Sequence, residues 1–160
     1  MIIVGYPGIG KSSVCSVGSG IIDLESSYFN NHLGDNWERR YVNVAIDLSR
    51  QGFIVCTSCH AGVINQFKEQ SKEDKIFIVF PDPRLKEPWL NKLRDRYNAT
   101  NAYEHDKWWN EKNYRALKRA EEFFDHDILQ LQNSDLNKVM IISMDYDLKQ
   151  VIESIKEQII

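Results

Sequence analysis

Gly5-Tyr6-Pro7-Gly8-Ile9-Gly10-Lys11-Ser12 is a complete G-x-x-x-x-G-K-S phosphate-binding loop, and it follows directly on the apolar run Met1-Ile2-Ile3-Val4. That run reads as a buried parallel strand, and Ser12-Ser13-Val14-Cys15 can open a helix. Glycine lets the backbone curl so that successive N–H groups face phosphate oxygens, and a helix N-terminus adds partial positive charge. In that layout Gly5, Gly8, Ile9, Gly10 and Ser13 line the phosphates, and Lys11 reaches the β- and γ-phosphates. The Ser12 hydroxyl sits on Mg²⁺. A chance glycine-rich turn explains neither flank. The stretch predicts a site for a nucleoside triphosphate.

Four more apolar runs can be strands: 20–24, 53–57, 75–80 and 138–143. Most are rich in Ile, Val and Phe without alternation, as expected where helices cover both faces. Helical patterns separate them. Trp37, Tyr41, Val44, Ala45 and Leu48 make one stripe, with Asn36 as its N-cap and Gly52 as its stop. A shorter helix is expected over 61–70, and another from Pro88, at a first helical position, to Tyr97. Leu117, Ala120, Phe124, Ile128 and Leu131 mark a long amphipathic helix. Leu148, Val151, Ile155 and Ile159 mark the last, with Asp147 and Gln150 spaced as a capping box. Alternation of this kind predicts an α/β fold of three layers around a parallel sheet. The helix after the loop must be short, because Gly18 and Gly20 follow Lys11 closely.

Ligands of such sheets bind beyond the carboxyl ends of the strands. Asp23 and Glu25, two apart after the second strand, share one face if the chain stays extended. One could hold a Mg²⁺-bound water and the other orient or deprotonate an acceptor hydroxyl; solvated strand-end acids are the plain alternative. The third strand ends in Thr57-Ser58-Cys59-His60, where a motor or switch ATPase would carry Asp. His60 can bind substrate or cap the next helix. After the fourth strand come Arg84, Lys86, Lys92, Arg94 and Arg96, whose guanidinium forks suit a transferring phosphoryl group. A solvated face balanced by Glu87 and Asp95 is the alternative for each. Arg40 flanks the stripe of its helix and can hold an anionic substrate, or simply pair on the surface. Tyr103, Trp108, Trp109 and Tyr114 can stack a base or pack helices.

With 160 residues the chain is the size of one domain, residues 1–160, with a lid-like helical segment over about 84–134. A net charge of −3 advertises neither nucleic acid nor an anionic membrane. No apolar stretch is long enough for a membrane span, and no charged leading segment precedes the first strand, so a cytoplasmic protein is expected. Cys15, Cys56 and Cys59 are an odd set, for which free thiols are the default. Cys56-x-x-Cys59-His60 spells a haem-attachment pattern, but it continues a β-type run and lacks a second Cys pair for a metal. Small residues at a strand end explain it better.

The loop, the Asp23-x-Glu25 pair, the missing strand-end Asp and the arginine-bearing segment together resemble the P-loop kinases of the nucleoside monophosphate kinase and shikimate kinase group. The Asn- and Lys-rich sequence is also similar to small kinase-like proteins of phages and low-GC bacteria. The resemblance implies the strand order 2-3-1-4-5 of the P-loop NTPase fold, with ATP and Mg²⁺ as cofactors. It implies that Asp23 orients a metal-bound water, that Glu25 faces the acceptor, and that Arg84, Arg94 or Arg96 closes from a lid. The turn Met144-Asp145-Tyr146 would lie by the adenine. The chain departs from the shikimate pattern in having D-x-E for D-x-D, a short first helix and no dense arginine repeat.

Three readings follow. The first is an ATP-dependent kinase for a small acceptor, foremost a nucleotide, with Lys11, Asp23, Glu25 and Arg94 as its catalytic set. The second is a kinase for a hydroxyl on nucleic acid, using Arg84–Arg96 and Arg115–Arg119 as a basic track. The third is a nucleotide-binding regulator or slow NTPase without an acceptor.

Overall fold

Ile2, Ile3 and Val4 are wholly buried, as a strand paired on both edges and covered on both faces must be. The computed structural model describes residues 1–71, 75–101 and 107–159. Its strands are β1 (Ile2–Gly5), β2 (Ile21–Asp23), β3 (Ile54–Ser58), β4 (Ile76–Pro81) and β5 (Asn137–Ile141). They form one all-parallel sheet in the order β2-β3-β1-β4-β5, flanked by helices: the α/β, P-loop-like architecture and strand order expected from the sequence. Gly5 lies in register with Ser58 on one side and Val79 on the other, and Asp23 with Cys56.

The helices are α1 (Lys11–Val14), α2 (Ser26–Leu33), α3 (Trp37–Arg50), α4 (Ala61–Gln70), α5 (Lys86–Asn101), α6 (Lys107–Gln132) and α7 (Leu148–Ile159). A 3₁₀ turn, Pro83–Leu85, leads into α5. The chain divides into two compact units. One comprises Met1–Val79, Asp135–Val139 and Asp147–Ile160, and the other Phe80–Ser134 and Met140–Tyr146.

In the first unit α3 packs on β1, β3 and α4, α2 packs on α3, and α1 packs on α7. The chain runs outward from β1 to β2 and then returns to β3, so right-handed crossovers put α1 on one face and α2–α3 on the other. The buried stripe of α3 is Tyr41, Val42, Ala45 and Ile46. Val44, expected to be inside, is exposed, because a 3.6-residue period buries adjacent pairs four apart. Asn36 does stand at the start of α3, but as a left-handed residue (φ 63°) whose side chain makes no cap bond. α2 has no counterpart in the sequence-based expectation; none of its residues is buried. Asp147 caps α7 through Lys149 N–H (2.9 Å).

In the second unit α5 and α6 pack together, and the expected α6 residues Leu117, Ala120, Phe124, Ile128 and Leu131 are all buried. Trp89, Leu90 and Leu93 of α5 are buried as well. Pro88 is the third residue of α5 rather than its first, still within the turn where a missing N–H costs nothing. Asp82 closes β4: its N–H donates to Ile141 C=O (2.7 Å), and its carboxylate accepts from Arg84 N–H, Nε and Nη2 at 2.8–3.0 Å.

Those bonds, the guanidinium's first, hold the Asp82 carboxyl below its usual range. A lowered folded-state pKa stabilises the protein above the unfolded value, about 4, and the effect is lost as pH falls through the lower folded value. Asp82→Asn is therefore expected to lower the urea midpoint at neutral pH. Measured against wild type from pH 7 downward, the difference should shrink only below about pH 4.

Candidate functional site

β1 delivers the chain to Gly5, and the next residues fold back at once. Pro7 and Gly8 (φ 88°) form the centre of a turn closed by Ile9 N–H to Tyr6 C=O (3.3 Å), the pattern of a type II turn. Gly10, also left-handed at φ 92°, caps α1, and Ser13 N–H donates to its carbonyl (3.1 Å). Tyr6 and Ile9 are buried beneath this curl. Gly5 is required by close approach: a Cβ there would overlap the Ile9 side chain and stand 3.0 Å from Lys11 Cδ. The Lys11 ammonium folds over the loop and donates to Gly5 C=O at 2.9 Å.

α1 is one turn long, so its dipole is small, and positive potential here comes from Lys11 and the loop N–H groups. Beside them the Ser12 hydroxyl donates to Asp23 Oδ2 at 2.9 Å. The strand-end acid and the loop hydroxyl thus share one spot. Among the described residues no group of three or more His, Cys, Asp or Glu gathers as a metal site. One carboxylate and one hydroxyl are hard oxygen donors. They suit Mg²⁺, which keeps several of its waters and takes few protein ligands.

Asp23 is positioned by an unusual seam between β2 and β3. Leu24 N–H donates to Cys56 C=O (2.9 Å), and the next bond of a parallel ladder would run from Ser58 N–H to Leu24 C=O. The Tyr41 hydroxyl occupies that place. It accepts from Ser58 N–H (3.0 Å) and donates to Leu24 C=O (2.6 Å), holding the strand ends apart by one oxygen. Burial drives the phenol's pKa far up, so it remains a donor at all ordinary pH. The sequence shows Tyr41 only as one apolar stripe position; no spacing signal reveals the relay.

Glu25, at the N-cap of α2, accepts from Ser27 N–H (3.2 Å) and Ser27 Oγ (3.0 Å). His60 stands at the N-cap of α4 without a side-chain cap bond, its ring edge-on to Trp37 at 6.0 Å. Arg40 is exposed on α3. Burial raises the Cys15 thiol and pushes Cys56 up to about 12, so both are neutral thiols at pH 7.

In the second unit the Arg84 guanidinium is exposed but held bidentately by Asp82. Arg94 bonds Glu121 (3.3 Å) and Asn91 (3.0 Å). In the turn after β5, Asp145 N–H donates to Ser143 Oγ (3.2 Å), and the Tyr146 ring stacks on Trp89 at 5.5 Å. Lys92 donates to Tyr146 Oη (2.7 Å), and burial lowers its pKa. Trp108 and Trp109 meet edge to face under Lys112, while Tyr103 lies outside the described residues.

No protein-family model matches the chain, and no curated protein matches it.

The seam makes a direct test of site construction. Tyr41→Phe leaves Ser58 N–H and Leu24 C=O without their buried partner, a loss of about 1–3 kcal/mol. The melting temperature should fall by several degrees, about 2–4 °C per kcal/mol for this size. An unchanged melting curve would mean that the two strands close on each other directly.

Proposed function

We propose that the chain is an ATP-dependent phosphotransferase that uses Mg²⁺ and delivers the γ-phosphoryl group to a small acceptor, foremost a nucleotide. The observation that carries this is the 2.9 Å hydrogen bond from Ser12 to Asp23 beside a loop with Lys11 folded across it. Phosphate-binding and metal-orienting groups then stand together at one sheet edge. When bound, ATP and Mg²⁺ supply the transferable group and its charge neutralisation. Lys11 turns from Gly5 C=O to the phosphates, the loop N–H groups fix them, and Asp23 orients the Ser12 hydroxyl.

A nucleotide acceptor is supported by aromatic surface in the same unit. Tyr28 is 63% exposed and stacks on His32 at 4.6 Å, while Phe29 and Trp37 both pack edge-on to Tyr41. Of these rings Tyr28 is the solvent-facing one, and a flat exposed ring suits a base. The nucleic-acid reading loses support, because the proposed basic track is compensated locally. Arg94 and Lys118 pair with Glu121, Arg115 with Glu111, and Arg119 with Asp127.

The test is ATP turnover with Mg²⁺, screened against nucleoside monophosphates, small alcohols and single-stranded DNA. One nucleotide should stimulate turnover strongly. Lys11→Ala should reduce the stimulated rate by about 10²–10³-fold, the size of losing one transition-state donor. Asp23→Asn should raise the Mg²⁺ requirement about 10–100-fold. Tight ATP binding with no acceptor-stimulated turnover would instead identify a nucleotide-binding regulator.

A further inference from the structure

The Ser58 hydroxyl is buried and has no hydrogen-bond partner among the described residues, and the same is true of the Thr57 hydroxyl beside it. Buried polar groups are nearly always satisfied, so two orphans at one strand end ask for an explanation. Register separates them. Ser58 pairs with Gly5, and Thr57 pairs with Val4. Neighbours in register project to the same face, and successive residues project to opposite faces. A Cβ at Gly5 would meet Ile9 and Lys11, so the face that Ser58 shares is the one covered by the phosphate loop. Asp23 is in register with Cys56, two residues before Ser58, and therefore lies on that face too. Thr57 faces the other way, toward the side covered by α3, and is wholly buried.

On this reading of the site as a nucleotide–Mg²⁺ site, we propose that Ser58 is a further binding residue. Its hydroxyl accepts a hydrogen bond from a water carried by the divalent cation, the task that a carboxylate at the end of this strand would otherwise perform. A serine oxygen has two lone pairs and a rotatable proton, so it can accept from such a water while donating to a phosphate oxygen. Its backbone is fixed for that purpose, since Ser58 N–H is held by Tyr41 Oη and its strand by β1.

The experiment is calorimetric titration of the full chain with ADP, once with Mg²⁺ and once with EDTA, for wild type, Ser58→Ala and Thr57→Val. Wild type should bind more tightly with Mg²⁺. Ser58→Ala should lose about five- to tenfold of that Mg²⁺-linked gain, the scale of one hydrogen bond between a hydroxyl and a water, and bind metal-free ADP within twofold of wild type. Thr57→Val should leave both affinities unchanged. Without ligand, Ser58→Ala should melt at or above the wild-type temperature, because it removes an unpaired buried hydroxyl. Equal losses with and without Mg²⁺, no loss at all, or a lower melting temperature would overturn the proposal while leaving the nucleotide site intact. Failure of wild type to bind ADP under either condition would overturn the nucleotide reading and this proposal together.

Discussion

β1 is hydrogen-bonded along both edges and covered on both faces, and the whole site is referenced to where it stops. Ile2 to Gly5 pair with Val55 to Ser58 on one side and with Ile76 to Val79 on the other. Tyr6 N–H extends the second pairing by one more bond, to Val79 C=O at 3.0 Å. Each fully buried Ile or Val here contributes about 1.5–3 kcal/mol, and sliding the strand by one residue would carry each into the packing of the opposite face, misfitting several at once. Gly5 is therefore fixed in three dimensions before the loop begins. A rigid launching point lets a flexible glycine-rich segment hold a defined curl, with Ile9 anchored inside and Lys11 outside.

The brevity of α1 follows from what comes after it. α1 stops at Val14 because Cys15 is already extended (φ −83°, ψ 114°), and the left-handed Gly18 and Gly20 (φ 80° and 71°) then turn the chain into β2. A longer helix would supply a larger dipole to the phosphates, but it would also carry the chain further before its return. Here β2 is reached within a few residues, and its last residue, Asp23, ends beside Ser12. The weaker dipole is offset by a full ammonium charge held against the loop, which makes Lys11 the dominant cation of this edge.

Much of the fold was legible because its signals are strong and local. The loop motif, four of the apolar runs and the α6 stripe at Leu117, Ala120, Phe124, Ile128 and Leu131 each depend on near neighbours in sequence. The apolar run 138–143 predicts β5, which runs Asn137–Ile141 with only Ile141 of it buried; an edge strand carries a weaker hydrophobic pattern. α2 escaped notice because it buries no residue, so its start is set by the Glu25 cap and not by periodicity. Within the site, the Ser12–Asp23 pairing was foreseeable from motif chemistry. The Tyr41 relay was not, since it joins an α3 side chain to two strands through backbone atoms. The same holds for which of Thr57 and Ser58 faces the loop, since that depends on the β1–β3 register.

That register also gives a physical reason for a hydroxyl at the end of β3. Asp23 already places one carboxylate on the face beneath the loop, where it accepts from the neutral Ser12 hydroxyl. A second carboxylate buried nearby would raise the pKa of both and would be costly whenever no cation is bound, because like charges in a poorly solvated edge cannot both ionise cheaply. A serine avoids that repulsion and costs only one unsatisfied hydroxyl. The protein can then remain folded with the site empty, with Tyr41 holding the β2–β3 seam open by a neutral hydrogen-bond relay. With a serine at the end of β3, Lys11 and Asp23 supply the charges beside the loop without a second strand-end carboxylate there, so under the proposed reading phosphate and cation would meet one ammonium and one carboxylate rather than a pre-existing cluster of acids.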